Sequence, residues 1–180
     1  MRALVLIDIQ NGFDDPKWGQ RNNPRAEQNA AALLHYWREK RRPVFHVRHD
    51  STEADSPLRP DRPGNELKEI VQPLPDEPVL GKNVNSAFIG TTLEADLRSR
   101  GITGIVLAGL TSPHCVSTSA RMAANLGFQV TVVGDATAAY EWTAHDGRLI
   151  SAADMHFYAL AAINREFATI VDTATLLEGK

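Results

Sequence analysis

Residues 104–124 read GIVLAGLTSPHCVSTSARMAA. Ile105 to Ala108 form a continuous apolar run, the mark of a strand covered on both faces. Gly109 to Pro113 form a short turn, and from Pro113 the small, alanine-rich residues predict a helix running to Gly127. Pro113 suits a first helical turn, where a missing N–H costs nothing, and Ser112 is a candidate cap. Cys115, the single cysteine of the chain, therefore falls at the mouth of a buried strand and in the first turn of a helix. Free backbone N–H groups there favour a thiolate and predict a thiol pKa below its ordinary value of about 8.5. The alternative is a buried, inert cysteine, which has no need of a Thr-Ser-Pro turn at a helix start.

The 180 residues fit one domain, 1–180, with a sizeable core. A net charge of −3 gives no reason to expect nucleic acid or an anionic membrane as partner. No stretch approaches the ~20 apolar residues of a membrane helix. The opening MRALVLIDIQ has the apolar run of a signal peptide, but Asp8 and Gln10 interrupt it and no small-residue cleavage site follows. A first strand, Ala3 to Ile7, is predicted instead. One cysteine excludes an internal disulfide framework and fits a reducing cytoplasm, the expected location.

Asp8 directly follows that first buried run, a costly place for a carboxylate unless it is paired. Gln10 to Pro24 form a long loop in which Phe13 and Trp18 are packing anchors or parts of a cover over a site. Arg25 to Lys40 are helical, with Ala26, Ala30, Leu33, Leu34 and Trp37 on one apolar face. Val44 to Val47 form a second strand. Of the string His46-Val47-Arg48-His49-Asp50, His46 and His49 diverge on a strand, so these residues alone make no metal site. Arg48 and His49 could still meet a substrate. Ser51 to Pro78, with six of the ten prolines, is a long surface connection. Val79 and Leu80 begin a third strand, and Lys82 stands just past it, as Asp8 does past the first. Thr91 to Arg100 are a helix and Gln129 to Val133 a fifth strand. Thr143 to Glu166 contain a long helix whose apolar face includes Leu149, Leu160 and Ile163, with His156 a satisfied core histidine. Ala168 to Val171 close as the sixth strand.

Six short apolar strands alternating with helical segments predict an α/β fold with a parallel sheet covered on both sides. Ligands on such a sheet bind beyond the carboxyl ends of the strands. Asp8, Lys82 and Cys115 each stand at such an end; the sequence supplies their level in the sheet, not their adjacency. A nucleotide- or flavin-binding module would need a glycine-rich loop after the first strand, and Asp8-Ile9-Gln10-Asn11-Gly12 is not one.

The chain resembles the isochorismatase-like cysteine hydrolases. Asp8 sits in LVLIDIQNGF, Lys82 in LGKNVNSAF and Cys115 in GLTSPHCVSTSARMAANLGFQV, the most specific of the three segments. The resemblance implies a three-layer α/β/α sandwich with strand order 3-2-1-4-5-6, an Asp8-Lys82-Cys115 triad and a cis Leu110–Thr111 peptide. It also implies an oxyanion hole from the backbone N–H groups of Thr111 and Cys115, and a homodimer or homotetramer with no cofactor. Relatives cleave small amides or ureides, and some cleave the vinyl ether of isochorismate. Hydrolysis of a C–N bond in a small molecule through a thioester-type intermediate is expected. Vinyl-ether hydrolysis and a non-hydrolytic binding or thiol redox protein are the alternatives. The nicotinamide-cleaving branch carries an Asp-x-His metal motif; Arg48-His49-Asp50 departs from it, so no metal is expected. Phe13, Trp18, Arg48, His49, Phe88 and His114 are the candidate substrate-binding residues.

Overall fold

Alternating apolar strands and amphipathic helices build the molecule. The structure is a computed structural model describing residues 1–178; the last two residues of the expected 1–180 domain lie outside these described residues. The elements run β1 (Arg2–Ile7), α1 (Ala26–Glu39), β2 (Val44–His49), β3 (Val79–Lys82), α2 (Leu93–Ser99) and β4 (Gly104–Leu110). They continue with α3 (Ser117–Asn125), β5 (Gln129–Ala138), β6 (Trp142–Thr143), β7 (Leu149–Ile150), α4 (Ala152–Ala161), β8 (Thr169–Val171) and α5 (Thr173–Leu177).

Six strands form one sheet in the order β3-β2-β1-β4-β5-β8, every neighbouring pair parallel. This is the order expected, with β8 as its sixth strand. The central strands read as unbroken apolar runs because both faces are covered. Ala3, Val5 and Ile7 of β1 pack in a cluster with Leu93 and Leu97 of α2 and Ala120 and Ala123 of α3. Leu4 and Leu6 point the other way, into a cluster with Ala30, Leu33, Leu34 and Trp37 of α1. The period of two on β1 thus assigns helices to the two outer layers. Among the described residues no helix is long and apolar enough to cross a membrane.

Two predicted helices start elsewhere. The segment after Cys115's strand opens with a π-helical turn, Ser112–Val116, before α3 begins. Thr111 occupies the cap position of that turn, without a side-chain cap bond, and Ser112 is used otherwise (below). The long helix predicted from Thr143 begins only at Ala152. Gly147 turns the chain at a φ of 84°, β6 and β7 pair antiparallel, and Ser151 caps α4 by accepting from the Asp154 N–H at 3.1 Å. Leu149 consequently lies on the hairpin and is exposed, while His156 is half-buried on α4 rather than in the core.

Candidate active site

Asp8 is the first residue beyond β1, where the chain leaves the sheet with a φ of 53°, a left-handed conformation that Asp tolerates better than most residues. Its N–H donates to the Val47 carbonyl at 2.8 Å, and its side chain is fully buried. Lys82 ends β3, two strands away, and its stem crosses the end of β2. The Lys82 Nζ donates to Asp8 Oδ2 at 2.7 Å, to Cys115 Sγ at 3.3 Å and to His49 Nδ1 at 3.0 Å. Asp8, His49 and Cys115 present ligand-type atoms within 4.8 Å of one another, and what those atoms surround is the Lys82 ammonium. The three sequence positions at strand ends therefore meet in one buried cluster.

Cys115 reaches that cluster from the π-helical turn. The preceding Leu110–Thr111 peptide is cis. At Gly109, with a φ of 128°, an added Cβ would lie 2.0 Å from the Ile7 carbonyl oxygen. Only glycine allows β4 to pass that close to the end of β1 just before the cysteine turn. The turn is then tied down from behind. Ser112 Oγ lies 2.7 Å from His156 Nδ1 and 3.3 Å from Thr137 Oγ1, and Asn23 Nδ2 lies 3.3 Å from His156 Nε2.

The electrostatics differ from the expectation for Cys115. Burial, reinforced by the Asp8 charge, pushes the thiol well above its ordinary range, and Lys82 only partly opposes this. Desolvation outweighs the N–H groups of the turn because the sulfur is almost fully enclosed. The carboxyl of Asp8 is also raised by burial, against the pull of Lys82. Asp8 Oδ1 is buried and without a hydrogen-bond partner among the described residues. The Cys115 sulfur thus lies within 4.8 Å of an Asp8 carboxylate oxygen, close enough for that carboxylate to serve as a proton acceptor.

Cys115 opens on a cavity of about 160 Å³. Phe13, Trp18, Leu58 and Tyr140 line one part of it, and Pro113, His114 and Trp142 another. The rings of Phe13, Trp18 and Tyr140 lie 5.4 to 6.3 Å apart. Trp18 Nε1 donates to the Gly12 carbonyl and the Tyr140 hydroxyl to that of Phe13, so these polar handles are already engaged. The polar lining is His49, Asn85 and Thr111. Burial keeps His114 below the ordinary imidazole pKa, and burial together with the Lys82 charge lowers His49 to about 4.

Of the residues expected at a pocket, Phe13, Trp18, His49 and His114 line this cavity. Arg48 instead points to the opposite side of β2 from His49 and pairs with Asp50 at 2.8 Å. Phe88 packs on Phe128, ring centres 6.1 Å apart, on the α2/α3 side of the sheet. His46 turns away from His49, as strand geometry requires, and bonds Glu77 Oε2 at 2.9 Å. Asn85, Tyr140 and Trp142 were not legible as site residues, because they reach the cavity only through loop and hairpin folding. Gln10, fully buried two residues after Asp8, carried the same signal as Asp8: a polar group at the end of a buried run.

A parallel sandwich thus brings a carboxylate, a lysine and a cysteine together beyond its strand ends. The isochorismatase domain model matches residues 2–175, and the chain belongs to the isochorismatase family as one of its hydrolases. It is 45% identical to the isochorismatase family protein YrdC of Bacillus subtilis, over 98% of this chain and 94% of that protein. It is 30% identical to Nicotinamidase 3 of Arabidopsis thaliana, over 84% of this chain and 80% of that one. The structure of an isochorismatase-family protein from Chromobacterium violaceum superposes with a TM-score of 0.95 at 44% identity, covering 98% of this chain and 92% of that chain.

Proposed function

We propose that the protein is a cysteine hydrolase that cleaves the C–N bond of a small, uncharged amide or ureide. The observation that carries this reading is the Lys82 ammonium, donating to the Asp8 carboxylate and the Cys115 sulfur beside an apolar cavity. Because burial keeps the thiol protonated, attack requires proton transfer. Asp8 takes the Cys115 proton as the sulfur bonds to the carbonyl carbon. The oxygen of the tetrahedral intermediate is held by the N–H groups of Thr111 and Cys115, at the start of a helical segment where such groups lack intrahelical partners. Collapse breaks the C–N bond, Asp8 delivers its proton to the leaving amine, and a thioester remains on Cys115. Water then adds, giving a proton to Asp8, and the carboxylic acid leaves as the thiol is restored. Lys82 stabilises whichever of Asp8 and Cys115 carries the negative charge.

The cavity favours this chemistry over cleavage of isochorismate, a dicarboxylate. Lys82 is engaged with Asp8, Arg48 with Asp50, and the lining histidines are neutral near pH 7. Among the described residues a desolvated carboxylate would find no free cation there, at a cost of several kcal/mol. A panel of small amides and ureides, read by ammonia release, tests the reading. Cys115→Ala and Asp8→Asn should each lower kcat on an accepted substrate by about 10³-fold or more. Wild-type turnover by Cys115→Ala would overturn the mechanism.

A further inference from the structure

One contact of the cluster has no part in the mechanism just proposed. A lysine ammonium has three N–H bonds and no acceptor. Asp8 Oδ2 and Cys115 Sγ take two of those bonds, and His49 Nδ1 at 3.0 Å takes the third. Since the ammonium only donates, Nδ1 must carry the lone pair, and the proton of the neutral ring sits on Nε2. His49 is the last residue of β2, the strand between β1 and β3, and is registered opposite Lys82. The lysine therefore passes His49 on its way to Asp8.

The backbone of His49 is held more firmly than a strand end requires. Its N–H donates to Gln10 Oε1 at 2.8 Å. Its carbonyl accepts from Gln10 Nε2 at 3.0 Å and from Asn65 Nδ2 at 3.1 Å. Gln10 is fully buried and Asn65 nearly so. Two buried amides, one from beyond β1 and one from the long surface connection, thus fix the residue that completes the lysine's coordination.

We propose that His49 is a positioning residue: as the Nε2–H tautomer it takes the third N–H of Lys82 and locks the ammonium between Asp8 and Cys115. The inference rests on the reading of Cys115 as the nucleophile only for its consequence in turnover; the contact stands without it. Losing the acceptor leaves a buried N–H without a partner and frees Lys82 to turn away from the sulfur. Asparagine at this position can place its amide oxygen where Nδ1 now lies, whereas leucine offers no acceptor.

Two measurements test this without any substrate. In nitrogen NMR of the wild-type protein at neutral pH, the His49 ring should show a protonated Nε2 and an unprotonated, hydrogen-bonded Nδ1. The opposite tautomer would overturn the proposal, whether or not any variant folds. In the second, Cys115 is alkylated with iodoacetamide. His49→Leu should slow the reaction about tenfold at neutral pH, while His49→Asn stays within about threefold of wild type. Equal rates for wild type and a folded His49→Leu would sink it, as would equal slowing by Leu and Asn. An amide panel without turnover, with the tautomer and alkylation pattern as expected, would count against the proposed reaction alone.

Discussion

At Lys82 one buried ammonium meets a carboxylate, a thiol and an imidazole. That makes it both the organiser of the site and a liability to the fold. Replacing it with methionine keeps the volume of the stem but leaves Asp8 buried without its ion partner. Breaking a buried pair from one side costs about 3–5 kcal/mol, and urea unfolding of Lys82→Met near neutral pH should show a loss of that order. A loss under about 1 kcal/mol would mean that water or a rearranged neighbour replaces the pair. The sequence marked Asp8 through the cost of a carboxylate after an apolar run, and Lys82 through its place past a strand's carboxyl end. It could not show that they meet, because their separation depends on β2 lying between β1 and β3 in space. Cys115 was legible in position but not in charge state: the helix-start argument predicts a lowered pKa, and enclosure of the sulfur reverses the sign.

At the scale of elements, the cysteine turn is fixed at both ends by different means. At its start stands Gly109, where an added Cβ would meet the backbone of Ile7. Gly109→Ala forces β1 and β4 apart in a close-packed sheet and should cost about 2–4 kcal/mol in denaturant unfolding. Behind the turn, His156 on α4 links Ser112 to Asn23. Asn23 Nδ2 also donates to the Thr137 carbonyl at 2.8 Å, and the Ser112 hydroxyl lies 3.3 Å from that of Thr137, so the histidine is one member of a network behind the turn. His156→Leu should lower kcat about tenfold through a displaced Cys115, with KM changed by less than about threefold. Steady-state kinetics on an accepted amide checks this; an unchanged kcat would show that the turn holds itself. The sequence placed His156 on a helix and read it as hydrogen-bonded, but not the elements it ties. A long apolar periodicity also hid the β6–β7 hairpin, because Gly147 and the Ser151 cap interrupt the helix locally without changing its overall composition.

For the whole molecule, stability should depend on acidity in one direction over most of the acid range. Burial lowers the pKa values of His46, His49, His114 and His156. Between each folded value and the ordinary 6.5, which for His49 means from about 4 upward, the unfolded chain binds more protons. Stability therefore rises with pH across that window. Glu77, held to about 2 chiefly by its bonds to Arg38 and the Leu74 N–H against burial, extends the loss further as pH falls below its ordinary 4.5. Asp8, raised by burial, acts in the opposite sense above its ordinary 3.8 and subtracts from this rise. Thermal unfolding should thus give a Tm that climbs from about pH 4.5 to about pH 7, and a flat profile would contradict these burials.

The sequence by itself determined the layers and the chemistry of the parts. Unbroken apolar runs require strands covered on both faces, and the positions of Asp8, Lys82 and Cys115 put a carboxylate, a lysine and a cysteine at the carboxyl ends of strands. These are local properties, written in period and position. The tertiary structure alone decided which groups touch: that Lys82 crosses β2, that His49 completes its coordination, that Tyr140 and Trp142 enter the cavity, and that Arg48 and Phe88 do not. Those outcomes depend on strand order, register and enclosure, which arise only when residues far apart in the chain are packed together.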